Sequence, residues 1–133
     1  MATQAIAAFG IALKRNGTVV PELTSVGDVG ASLAIQDVTA HDGSGWVERI
    51  GTLLDGGTIP VQCNFVPGNA QHVGMRTDMT SKALQAWTVV LPGGSPTWAF
   101  SGYVTQYRIP SAPVNGHLQL QAQIMVSGAV TFA

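Results

Sequence analysis

Leu118, Leu120, Ala122, Ile124 and Val126 alternate with Gln119, Gln121, Gln123, Met125 and Ser127. Successive strand residues face opposite ways, so this run predicts a strand with one buried face and one glutamine-lined face. Ile59, Val61, Cys63 and Phe65 alternate in the same way with Pro60, Gln62, Asn64 and Val66, and the run stops at Pro67-Gly68. Pro60 has no N–H for a ladder and suits a strand's beginning or an edge. Over residues 29–39 the odd positions Val29, Ala31, Leu33 and Ile35 supply an apolar face. Residues 10–15 lead into Asn16-Gly17 and then Thr18-Val19-Val20. Both turn residues tolerate positive φ, as a type I′ hairpin demands. Residues 84–91 and 97–109 predict two further strands. In the second, Trp98, Phe100, Gly102 and Val104 share one face, with Tyr103, Tyr107 and Ile109 on the other. Proline- and glycine-bearing turns fall at 92–96 and 110–116, and Val130 and Phe132 form a short apolar tail.

Two segments depart from this period. Residues 69–82 form the one helix candidate: Asn69 caps it, Val73, Met75 and Met79 give an apolar side, and Arg76, Asp78 and Lys82 look outward. Residues 39–57 have no clean period and read as a long loop, longer than most connections in a compact domain. Six or seven strands with one inserted helix predict a mainly β chain. The expected architecture is an antiparallel β-sandwich or partly open barrel with one flanking α-helix, forming a single domain over 1–133.

Composition sharpens the picture at three points. Apolar residues make up 46% of the chain, which suits a packed core, and sixteen glycines with seven prolines suit short strands and many turns. Charged residues are only 10%, against about a quarter in ordinary soluble domains, and residues 83–133 carry one formal charge, Arg108. A β-surface so poor in charge is either solvated by neutral polar groups or covered by other subunits. Six basic residues without a cluster, at net charge −1, do not grip phosphate. A lone cysteine, Cys63, excludes an intrachain disulfide and a thiolate zinc finger. With no secretory signal and no long apolar run, the chain is expected in the cytoplasm where it is made, with no membrane insertion.

No catalytic constellation emerges, and no cofactor or metal is expected. His41, His72 and His117 fall in three different elements, and Ser44 between two glycines lacks the strand and helix of a nucleophile elbow. Cys63 sits at an apolar strand position and reads as a small core residue. Trp87, Trp98 and Tyr103 read as core aromatics, with a sugar-binding cleft as the alternative.

Several segments taken in order carry a resemblance. They are Ile35-Gln36-Asp37-Val38-Thr39-Ala40-His41-Asp42, Gly45-Trp46-Val47-Glu48-Arg49 and Leu53-Leu54-Asp55-Gly56-Gly57-Thr58-Ile59-Pro60-Val61. Asn64-Phe65-Val66-Pro67, the helix, Trp87-Thr88-Val89-Val90-Leu91-Pro92 and Phe100-Ser101-Gly102-Tyr103-Val104 follow. Over about residues 28–128 the chain resembles the major tail tube proteins of long non-contractile-tailed phages. That resemblance implies six copies per ring and rings stacked into a hollow tube that conducts DNA without binding it. It implies a place in the virion tail after synthesis in the bacterial cytoplasm, beside tail terminator, distal tail and tape measure proteins. It also implies that the 39–57 loop makes the ring-to-ring contact. Trp46 would be its buried anchor, with His41, Asp42, Glu48, Arg49 and Asp55 as companion contacts. Residues 1–8 are either an arm draped over a neighbour or simply frayed, and no immunoglobulin-like C-terminal domain, which many family members carry, is expected. The competing functions are a head–tail connector, tail terminator or capsid decoration protein and, in another class, a carbohydrate-binding β-sandwich.

Overall fold

The computed structural model describes residues 9–92, 97–110, 114 and 116–132. The N-terminal arm, most of the 92–96 turn and part of the 110–116 turn fall outside them. Among the described residues nine strands and one helix follow in order: β1 Ala12–Arg15, β2 Thr18–Val19, β3 Leu23–Val26, β4 Ser32–Asp37, β5 Arg49–Asp55, β6 Thr58–Asn64, α1 Ala70–Ser81, β7 Gln85–Val90, β8 Thr97–Arg108 and β9 Gln119–Phe132. Seven strands form one antiparallel sheet in the order β2-β1-β7-β8-β9-β6-β3, while β4 and β5 pair only with each other. The large sheet curls into a half-barrel, so the partly open barrel is the alternative that forms.

Its two margins are joined within the chain. Val20, Pro21 and Glu22 alone separate β2 on one edge from β3 on the other. Val20 N–H donates to the Leu13 carbonyl at 2.8 Å, and Asn64 N–H donates to the Glu22 carbonyl at 2.8 Å. The exposed sheet edges that invite uncontrolled pairing are therefore short and tied to each other. Asn16 (φ 51) and Gly17 (φ 85) both adopt the left-handed region in the β1–β2 turn, as their sequence demands.

The alternation in β9 is realised: Leu120, Ala122, Ile124 and Val126 are buried. They meet Ile59, Val61 and Cys63 of β6, Phe100 and Val104 of β8, Trp87 and Val89 of β7, and Met75 of α1 in one cluster. Each fully buried aliphatic side chain of this kind contributes about 1.5–3 kcal/mol. Gly102 is required at its position, because a Cβ there would lie 2.7 Å from the Met125 carbonyl oxygen. Its own carbonyl accepts the Trp87 indole N–H at 3.3 Å. Pro60 stands near the start of β6, and its missing N–H points toward β3 where that short strand runs out after the Val26–Val61 pair.

Four side chains depart from expectation. The β8–β9 register shifts between Val104 and Gln106, which places Tyr107 opposite core-facing Ala122 rather than on the face of Tyr103. Asp78 turns inward at 5% exposure, because Arg15 of β1 reaches across to it. Leu33 and Ile35 lie outside the core: they are 51% and 54% exposed. Helix α1 otherwise follows its sequence. The Asn69 side-chain oxygen accepts from the Gln71 and His72 backbone N–H groups, and Lys82 ends the helix at φ 58.

Candidate functional site

The stretch expected as a 39–57 loop is a two-stranded ribbon with a shorter loop, 38–48, at its tip. β4 and β5 pair from Ser32–Asp55 to Asp37–Arg49, with an irregularity between Leu33 and Ile35. Every residue from 31 to 55 is exposed, and the ribbon approaches the large sheet at its base, where β5 nears β9. Cross-strand partners share a face, which sets Leu33, Leu54, Ile35, Gly51, Asp37 and Arg49 on one side. Trp46, Leu53 and Leu54 are 78%, 76% and 75% exposed. Isolated exposed leucines are unremarkable on a protein surface, but contiguous apolar residues with a tryptophan mark a contact surface.

The neck of the ribbon is held by a small polar network. Asp37 Oδ1 accepts from the Thr39 backbone N–H at 2.9 Å and from its hydroxyl at 2.7 Å. The Glu48 N–H donates to Thr39 Oγ1 at 2.9 Å, and the Val38 N–H donates to the Glu48 carbonyl at 2.9 Å. The Thr39 hydroxyl, then its N–H, hold the Asp37 carboxyl below its usual value.

The sequence-predicted residues divide into two groups. His41, Asp42 and Trp46 occupy the tip loop, with Glu48 at the neck and Arg49 opening β5 opposite Asp37. Asp55 closes β5 at the base, roughly 20 Å of strand away, where its Oδ1 accepts the Gly57 N–H at 2.9 Å. Asp55 therefore shapes the turn into β6 and does not join the tip group. Leu33, Ile35, Ile50, Leu53 and Leu54 belong to the exposed ribbon but were read as core or loop. Leu53-Leu54, adjacent apolar residues inside a supposedly loose segment, is the signal that could have identified them.

Reactive chemistry is scarce elsewhere. Cys63 is fully buried and burial pushes its thiol up to about 11, far from a working nucleophile. His72 is also fully buried. Its Nδ1 accepts the Val66 N–H at 3.0 Å and its Nε2 reaches the Pro21 carbonyl at 2.9 Å. These contacts fit the neutral Nε2–H tautomer in a structural role. Among the described residues no cluster of His, Cys, Asp and Glu could hold a metal ion, and no helix is long and apolar enough to cross a membrane. Trp87 is buried, and Trp98 packs edge-on against Phe132 at 4.8 Å, so neither offers an open sugar platform. An apolar groove of about 310 Å³ lies at the ribbon's base, between Leu54 and Val126, Val130 and Phe132.

No protein family and no curated protein sequence matches the chain. Solved structures do resemble it. A chain of the anti-feeding prophage cap, described as its tube terminating cap, aligns with TM-score 0.79 at 16% identity over 100% of this chain and 93% of that one. A chain of the sheath/tube terminator of an extracellular contractile injection system, PVC, aligns with TM-score 0.77 at 16% identity over 100% and 99%. One from the tail of an empty gene transfer agent particle, refined with C6 symmetry, gives TM-score 0.75 at 16% identity over 97% and 99%. The chain has the fold found in these tail assemblies. The likeness extends to a contractile system, so it does not single out non-contractile tails.

Proposed function

We propose that this chain is a structural tail protein, the repeating subunit of a hollow tube built from stacked six-membered rings. The carrying observation is the β4–β5 ribbon, on which every residue from 31 to 55 stays exposed, Trp46, Leu53 and Leu54 among them. A single chain that leaves such a surface open is completed by copies of itself. The fold shared with tail assemblies, one of them sixfold, supports the same reading. Function then lies in assembly and not in turnover, with DNA as the cargo and the virion tail as the location. Tail terminator, distal tail and tape measure proteins are the expected neighbours.

The residues proposed for the contact between rings are His41, Asp42, Trp46, Glu48 and Arg49 at the tip, with Asp55 supporting the base. Trp46→Ala removes an exposed ring and leaves the core intact, so the variant folds but does not polymerise. Negative-stain electron microscopy of purified protein tests this: wild type gives filaments and the variant gives none. Filaments of normal length from Trp46→Ala would overturn the assignment of Trp46.

A second reading is a tube terminator, favoured by the likeness to a tube terminating cap and a sheath/tube terminator. It predicts discrete single rings that never grow into filaments, even at high concentration.

A further inference from the structure

The irregularity that turns Tyr107 toward the core also decides where its neighbours point. Phe100, Gly102 and Val104 face inward on β8, and unbroken alternation would send Gln106 and Arg108 inward after them. The register shift between Val104 and Gln106 reverses the phase, so both side chains emerge on the glutamine-lined face of the sheet. There they complete two rungs that cross three strands. Arg108 stands opposite Gln121, and Gln121 opposite Gln62; Gln106 stands opposite Gln123, and Gln123 opposite Pro60. Cross-strand partners share a face, which makes this grid roughly 10 Å across the strands and 7 Å along them.

The grid is not flat. With Ser25 of β3 at its edge, it encloses a cavity of about 220 Å³. Its chemistry is one-sided. Arg108, the single formal charge between residues 83 and 133, lines it, and no Asp or Glu does. Gln62, Gln106, Gln121 and Gln123 are partly buried around it. Among the described residues Arg108 has no salt bridge. Of these five side chains only Gln62 is hydrogen-bonded to a described residue, its Nε2 donating to Gln119 Oε1 at 3.3 Å.

We propose that this cavity is a binding site for a single phosphate-type oxyanion. A guanidinium and primary amides supply N–H donors, and the arginine fork matches two oxygens of such an anion at once. The amide carbonyls could turn to a cation, but the guanidinium beside them repels one and no carboxylate offsets that charge. A carboxylate ligand is satisfied by the fork alone. A tetrahedral anion also presents oxygens to the donors on β9 and β6. The cavity is smaller than the roughly 300–1,000 Å³ of pockets for drug-sized ligands, so it admits one such group and not a whole cofactor. Holding is weak, because one cation acts and several flexible glutamines must be ordered. That agrees with a chain too poor in basic residues to grip a phosphate backbone. Free phosphate and the diester of a nucleic acid share this chemistry. The proposal is independent of the tube reading, because it concerns the surface of one chain.

Equilibrium dialysis of the full chain at about 0.15 M ionic strength tests it. Inorganic phosphate is one probe, and dimethyl phosphate, which mimics the nucleic-acid backbone, is the other. One equivalent of at least one probe should bind per chain, and the tighter of the two identifies the source. Arg108→Gln should weaken binding about tenfold or more, and Arg108→Lys should restore part of it. Gln121→Leu, which leaves the net charge unchanged, should weaken binding about threefold or more. Circular dichroism checks that each variant folds. A wild-type chain that binds neither probe overturns the site, as does Arg108→Gln with unchanged affinity. Gln121→Leu binding like wild type would reduce the effect to plain charge attraction and overturn it too.

Discussion

Arg15 and Asp78 form a two-pronged ion pair, Nε to Oδ2 at 2.7 Å and Nη2 to Oδ1 at 2.8 Å. It ties the first strand of the barrel to the helix 63 residues later. Gly74 makes room for it: a Cβ there would lie 2.7 Å from the Arg15 guanidinium carbon. The hydrogen bond to Asp78, joined by that carboxylate's charge, holds the Arg15 proton more tightly than usual.

Asp78→Asn should cost about 3 kcal/mol, because it leaves a guanidinium that is only 16% exposed without its counter-charge. Urea unfolding followed by circular dichroism measures the loss. A shift below about 0.5 kcal/mol would show that the pair behaves like a solvated surface bridge.

His72→Leu should lower stability by about 2–4 kcal/mol, as both the Val66 N–H and the Pro21 carbonyl lose their partner in a buried site. Because Pro21 lies in the crossing between the sheet's margins, amide exchange around residues 20–23 should accelerate more than at the centre of β8.

Stability should fall as pH rises from about 9 to about 11, the window between the ordinary thiol value and the buried Cys63 value. There the unfolded thiol gives up its proton while the folded one keeps it, so the unfolded state is favoured. Comparing urea midpoints of wild type and Cys63→Ala at pH 7.5 and 10.5 isolates the effect, which should be absent from the variant.

The ribbon's neck should loosen in acid. A depressed Asp37 carboxyl supports the neck above about pH 3.9, the usual aspartate value, and that support disappears as pH falls through the lower folded value. The Thr39 amide signal in NMR should report a midpoint below about 3.9. In Thr39→Val the midpoint should return toward the ordinary value, and equal midpoints in the two proteins would refute the network.

The barrel was legible where one face of a strand is buried and the other wet. β9 is the clearest case, since a two-residue period there is the direct imprint of its burial. The Asn16-Gly17 turn and the Asn69 cap were legible because each is local chemistry. β5 was hidden because both of its faces are open, so no alternation is imposed and Leu53-Leu54 breaks the period. Tyr107 was placed on the wrong face by an extra residue at position 105 that only the partner strand reveals. Asp78 was read as surface because its partner lies far away in sequence. Within the candidate site, the tip group was proposed from Trp46 and its neighbouring charges, whereas the exposed leucines look the same in sequence as core residues.

The strand order also governs when this protein can fold. β9 lies between β8 and β6, so until it is made β2-β1-β7-β8 and β6-β3 are two fragments without a shared ladder. A nascent chain halted before Gln119 cannot mature, and productive folding waits for the late synthesis of residues 119–132. During that interval the leucine-bearing ribbon, residues 31–55, has already been made and waits beside an unfinished sheet.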